Sequence, residues 1–268
     1  VSVIDTSEKY AQRSSLALLL ELSLYILMMI AAESFAAGPS PLLGLWLHAL
    51  TLIVLTVRAT LFRVKHAEVL IALSLAPLIR LLALTIPTQQ LGLDTINVFP
   101  IVNLPLILAA LLGIRVLSFK AKNVGLRLSW RDVPLQLLIA SSGFLIGYGE
   151  RLILQPPALA AGFEPRQLIW PMLSLMVFTG LSEELLFRGV MQHAAVRHLG
   201  PRVGVVLISV VFGVFHFGWQ SWLDVVYVTL VGLYFGWLAH KTRSIVGISV
   251  AHGIANIMLF VVLPLLGK

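Results

Sequence analysis

Nine stretches of about 20 mostly apolar residues follow one another along the chain, at approximately 15–37, 42–62, 67–87, 98–119, 134–154, 168–197, 202–220, 222–240 and 245–266. In helical form, at about 1.5 Å per residue, each is about long enough or more to cross the roughly 30 Å hydrocarbon core of a bilayer. A membrane barrel would need many segments of alternating polarity, so helices are the spanning elements that fit. Composition points the same way: 59% of the 268 residues are hydrophobic and 12% are charged. Soluble domains carry roughly 45–50% apolar and about 25% charged residues. An ordinary cytosolic enzyme, a disordered chain and a fibrous protein are thereby excluded. The expected fold is all-α, a polytopic transmembrane helix bundle of eight to nine spans. The fifth stretch is the weakest, with Ser141, Ser142, glycines and a Glu150-Arg151 end. If residues 134–166 are partly re-entrant, the count is eight.

Charge tests this map. With alternating sides, one side collects Lys9, Arg13, Arg58, Arg63, Lys65, Arg115, Lys120, Lys122, Arg127, Arg131, Arg197, Arg202, Lys241 and Arg243. The other collects Arg151, Arg166 and Lys268. The positive-inside rule then predicts a cytoplasmic N-terminus and, with nine spans, an outside C-terminus. The net charge of +7 therefore reads as loop charge, and no nucleic-acid partner is expected. Residues 1–14 are too polar, and lack the cleavage site, for a removable signal peptide. With no cysteine, a disulfide framework, a thiolate metal site and a cysteine nucleophile are excluded. The basic polar linker 120–133 divides the chain. Residues 1–119 form an N-terminal transmembrane region of four spans, and 134–268 a C-terminal one.

Ionisable groups at bilayer depth cost about 2.5–3.5 kcal/mol each and mark candidate sites. Glu21, Glu33 and Arg80 are scattered singly through the first three stretches and are expected to pair or snorkel. His48 is expected near a helix end, at the interface. The C-terminal half instead concentrates polar groups. Glu184 and Arg188, at i and i+4, can pair on one helix face. Glu183 lies about 100° round the helix from Glu184 and has no partner there. An unpaired buried carboxylate is costly, and it suits a general base. His216 follows in an aromatic helical segment. His252 and Asn256 are again i and i+4, two neutral donors that suit an oxyanion hole, or a helix-packing bridge. Glycines 180, 189, 204, 213, 232, 236, 247 and 253 would let these helices approach closely.

A carboxylate base, two imidazoles and an amide donor can activate water and stabilise a tetrahedral oxyanion. In a membrane, the acyl bond to hydrolyse is a peptide bond. A zinc protease would carry His-Glu-x-x-His, which is absent. An aspartyl type needs paired intramembrane aspartates, yet Asp5, Asp94, Asp132 and Asp224 all lie away from span centres. A serine type has only Ser182 beside Glu183, with no Gly-x-Ser-x-Gly run. Zinc on Glu183, His216 and His252 is disfavoured by Arg188 and by Asn256, a poor zinc ligand. No metal or other cofactor is expected.

Glu-Glu-x-x-x-Arg, Phe-x-x-x-His and His-x-x-x-Asn, in that order on successive membrane segments, resemble the CPBP family. These are the CAAX protease and bacteriocin-processing proteins, also called the Abi family of glutamic intramembrane proteases. The resemblance covers about residues 168–262, and implies a C-terminal four-helix catalytic core. Gly125-Leu126-Arg127 and Trp130-Arg131-Asp132 are similar to a segment that often precedes this core. The resemblance implies that Glu183 activates water, His216 holds it, His252 and Asn256 form the oxyanion hole, and Glu184 and Arg188 support them. It also implies a peptide or protein substrate, with prenylated C-termini as one class, met within the lipid bilayer. Two other readings stay open on the sequence. One is a scaffold or immunity protein that keeps the constellation without proteolysis. The other is a transporter, for which no inverted repeat is visible.

Overall fold

A computed structural model describes the backbone of residues 3–62, 64–88 and 90–267, and side chains from Leu16 onward. The charges assigned to Lys9, Arg13, Arg63 and Lys268 lie outside the described residues and side chains. Nine helices are described: α1 (Val3–Ala36), α2 (Pro41–Leu61), α3 (Ala67–Thr85, broken at Ser74), α4 (Thr95–Val116), α5 (Val133–Ile153), α6 (residues 165–199), α7 (residues 201–214), α8 (Trp222–Thr242) and α9 (Val246–Leu266). Among the described residues there is no strand.

Seven continuous helical stretches among the described residues are long and apolar enough to cross a membrane. One of them, Pro165–Trp219, has 55 residues, too many for one crossing. Gly200 divides it, with φ 77° and ψ 166°, a backbone conformation that a residue without Cβ adopts freely. Pro201 then opens α7, where its missing N–H costs nothing. Helix α5 stands outside the seven because Gln136, Ser141, Ser142 and Glu150 dilute its apolarity. It is nevertheless a continuous helix of 21 residues, and Leu137, Leu138, Leu145 and Leu152 on it are exposed. Its other face packs against α9. Gly143 and Gly147 make that contact possible, since a Cβ on either would run into the α9 backbone at Ala251 and Ala255.

Two sequence expectations need correction. His216 does not sit within a helix reaching residue 220. Helix α7 ends at Val214, and His216 lies in the turn that follows, before a single 3-10 turn at Phe217–Trp219. Nor is His48 interfacial. It is fully buried, and its Nε2 is 3.1 Å from Glu33 Oε1. Gly44, one turn earlier, brings α2 against the α1 backbone at Ala32 and Ala36, which encloses the imidazole.

The scattered charges of the first three helices do pair. Glu33 binds Arg80, while Glu21 binds Arg58 and His66. One hydrophobic cluster runs through the whole bundle, from Leu22, Leu55, Leu70 and Leu106 to Leu186, Phe212, Phe235 and Ala251. The N-terminal helices are thus packed onto the C-terminal ones.

Candidate active site

Helix α6 supplies the carboxylates. Between residues 176 and 191 much of it is wound in π form, a local widening often found at functional sites. The Glu184–Arg188 pair survives this winding, with Arg188 Nη1 donating to Glu184 Oε1 at 2.9 Å. Both side chains are fully buried. Arg188 also lies 4.1 Å over the Phe212 ring, where the ring face attracts the cation. It reaches the Gly232 carbonyl on α8 at 3.4 Å.

Helix α9 brings His252 to the same carboxylate. His252 Nδ1 lies 2.8 Å from Glu184 Oε1. Because an ionised carboxylate only accepts, this nitrogen is the donor. Its other nitrogen, Nε2, is 3.8 Å from Glu183 Oε2. The approach depends on glycine: a Cβ on Gly180 would stand 2.6 Å from the Ser249 carbonyl oxygen and 2.7 Å from the Gly253 nitrogen.

Glu183 differs from its neighbour. Its side chain is 26% exposed, and it faces two adjoining cavities. One, of about 290 Å³, is lined by Glu183, His216, Arg80, Asn103 and apolar side chains of α3, α4 and α6. The other, of about 430 Å³, is lined by Glu183, His216, His252, Asn256, Thr179 and Glu150. His216 and Trp219 also belong to both walls. His216 Nδ1 donates to the Phe212 carbonyl at 3.0 Å, which leaves Nε2 as the acceptor of the neutral ring. Asn256 Nδ2 donates to Thr179 Oγ1 at 2.8 Å, and Thr179 Oγ1 in turn donates to the Leu175 carbonyl. One amide hydrogen of Asn256 remains for the cavity.

All four residues proposed from the sequence as the reacting set therefore line one cavity, and the supporting pair lies behind it. Ser182 points elsewhere: it is buried and donates to Asn103 Oδ1 on α4 at 2.9 Å. Among the described residues, no three carboxylate, imidazole or thiol groups converge as a metal ion requires. Sequence reasoning missed Thr179, Glu150, Arg80 and the loop residues Pro156, Pro157 and Leu159. That loop lines the larger cavity, pinned by a hydrogen bond that the Leu159 N–H donates to the Phe260 carbonyl. Two of these had a sequence signal: Thr179 lies one turn before Glu183 on the same helix, and Arg80 is a charge at bilayer depth, read there only as a pairing group.

The family model described as type II CAAX prenyl endopeptidase Rce1-like matches residues 165–258. This segment belongs to the CAAX protease family. It spans α6 to most of α9, which carry Glu183, Glu184, Arg188, His216, His252 and Asn256. No curated protein and no solved structure matches the chain. With its apolar helices and this matching segment, the protein is an integral, multi-pass membrane protein.

Proposed function

We propose that the chain is an intramembrane endopeptidase that hydrolyses a peptide bond with a water activated by Glu183. The observation that carries this reading is the contrast between two adjacent carboxylates. Glu184 is tied to Arg188 and His252, while Glu183 opens onto the cavity that His216, His252 and Asn256 also line. The carboxylate of Glu183 removes a proton from a water that His216 Nε2 helps to hold. The hydroxide oxygen adds to the peptide carbonyl carbon. Charge collects on the carbonyl oxygen, where His252 Nε2–H and the free amide hydrogen of Asn256 donate to it. The C–N bond then breaks, and the proton on Glu183 passes to the leaving amine. Glu184 and Arg188 act behind this set by fixing the His252 ring. A proton on Nδ1 serves Glu184, and a second proton on Nε2 serves the oxyanion.

The proposed domain division is an N-terminal region of residues 1–119, a basic linker at 120–133 and the catalytic region at 134–268. Charge asymmetry between the loops supports a cytoplasmic side for the N-terminus and the linker. Family resemblance makes prenylated C-terminal peptides the first substrates to test. Purified wild type and Glu183→Gln are incubated with prenylated peptides, their unprenylated twins and apolar-tailed peptides, and products are mapped by mass spectrometry. A product made only by wild type supports the reading, and its cut site names the substrate class. No product from any peptide, with a partner protein retained by both forms, would favour a scaffold instead.

A further inference from the structure

Arg80 lies on α3, outside the segment that matches the family. Its Nε and Nη2 grip the two oxygens of Glu33 on α1, each at 2.7 Å. That pairing would satisfy a buried ion pair by itself. Yet Nη2 also donates to the Phe215 carbonyl at 2.7 Å, and the guanidinium carbon sits 5.7 Å from the Phe215 ring centre. Phe215 caps the C-terminus of α7, where helix carbonyls lack intrahelical donors and a cation is favoured. The next residue is His216. His48 of α2 flanks both ends of this arrangement, 3.1 Å from Glu33 and with its ring 5.9 Å from that of Phe215. The far end of the same turn is also held at the end of α1, since Gln220 Nε2 donates to the carbonyl of Ala37, the residue that follows that helix. Gln220 itself is in the left-handed region, at φ 53°. The turn bearing His216 is thus fastened at both ends to the N-terminal helices.

We propose that Arg80, aligned by Glu33, is a positioning residue that fixes turn 215–220 and so aims His216 into the cavity it shares with Glu183. The N-terminal helices then complete the active site. This rests on the proteolytic reading for its effect on rate, but not for its effect on the turn. The test uses the full chain in nanodiscs, with Arg80→Met, Arg80→Lys and, as control, Arg58→Met. Arg58 forms a comparable ion pair with Glu21 at 2.9 Å, away from the turn. A lysine keeps the charge for insertion but lacks the planar fork that serves Glu33 and Phe215 together.

Two quantities are read: hydrogen exchange of the His216 amide, bonded to the Gly213 carbonyl at the end of α7, and of the Trp219 and Gln220 amides, bonded within the turn, and kcat and KM for peptide cleavage. Arg80→Met is expected to speed exchange of the turn about tenfold or more. It should lower kcat by about 10- to 100-fold, as expected for a misplaced reacting group, with KM nearly unchanged. Arg80→Lys should do the same more mildly, which keeps the test valid if Arg80→Met does not fold. Arg58→Met should change neither quantity. Turn exchange in the Arg80 variants equal to that of Arg58→Met overturns the proposal. So does faster exchange with unchanged kcat. If wild type cleaves no peptide, the proteolytic reading fails, and exchange alone still decides whether Arg80 holds the turn.

Discussion

Replacing Gly180 by alanine adds one methyl group where α6 and α9 pack closely. The new carbon would stand 2.6 Å from the Ser249 carbonyl oxygen, 2.7 Å from the Gly253 nitrogen and 2.9 Å from the Gly253 Cα. All three are backbone atoms, so no side chain can swing aside. Restoring ordinary contact requires α9 to retreat by roughly 0.8 Å. His252 sits on the retreating helix, one residue from Gly253, and its 2.8 Å contact with Glu184 would open beyond hydrogen-bonding range. Overpacking of this kind costs about 1–3 kcal/mol of stability, which leaves a folded protein. Misplacement of a reacting group by about 1 Å lowers rate by up to about 100-fold. Gly180→Ala is therefore expected to lower kcat by about 10- to 100-fold, measured with a cleavable peptide in nanodiscs. Gly204→Ala is the control, because its Cβ would meet the Val196 backbone nitrogen at 2.7 Å, away from the cavity. A Gly180→Ala protein with kcat within about twofold of the Gly204→Ala protein would refute the reasoning.

Three further outcomes are expected. Asn256→Ala removes one oxyanion donor and should lower kcat by about 100- to 1,000-fold with little change in KM, as steady-state kinetics would record. Arg188→Met leaves Glu184 buried with His252 as its remaining partner and removes the contact with Phe212. Since Glu184 and Arg188 share one helix, much of the cost falls on membrane insertion, at about 2.5–3.5 kcal/mol for an unpaired charge. The amount of inserted protein should drop, and Arg188→Lys should restore it only in part because the fork is lost. The chain lacks cysteine, so single cysteines report topology directly. Lys122→Cys should react with an impermeant maleimide only from the cytoplasmic side, and Ala161→Cys only from the other.

What the sequence made legible was set by local periodicity. Apolar run length marked every helix, and the i and i+4 spacing of Glu184 and Arg188 foretold their ion pair. The same spacing put His252 and Asn256 on one face. It could not reveal that Asn256 shares its amide with Thr179, a contact between α6 and α9. The end of α7 was illegible for a physical reason: residues 215–219, Phe-His-Phe-Gly-Trp, are mostly aromatic and hold no proline or polar turn cluster, so nothing local marks where the backbone turns. His48 was misjudged because its burial depends on the close approach of α1 at Gly44. The bond between Arg80 and the Phe215 carbonyl joins residues 135 positions apart, and no spacing rule reaches that far.

The central claim is that Glu183 activates the water. Among the described residues no hydrogen bond holds its carboxylate, and its nearest ionic partner is His252 Nε2 at 3.8 Å. Glu183→Gln should therefore leave folding intact. The direct measurement is the cleavage rate of Glu183→Gln beside wild type, on one peptide, with thermal unfolding followed in the same samples. Loss of the general base should lower kcat by about 100- to 10,000-fold at an unchanged unfolding temperature. A Glu183→Gln protein that cleaves the peptide at a rate close to wild type would contradict the account.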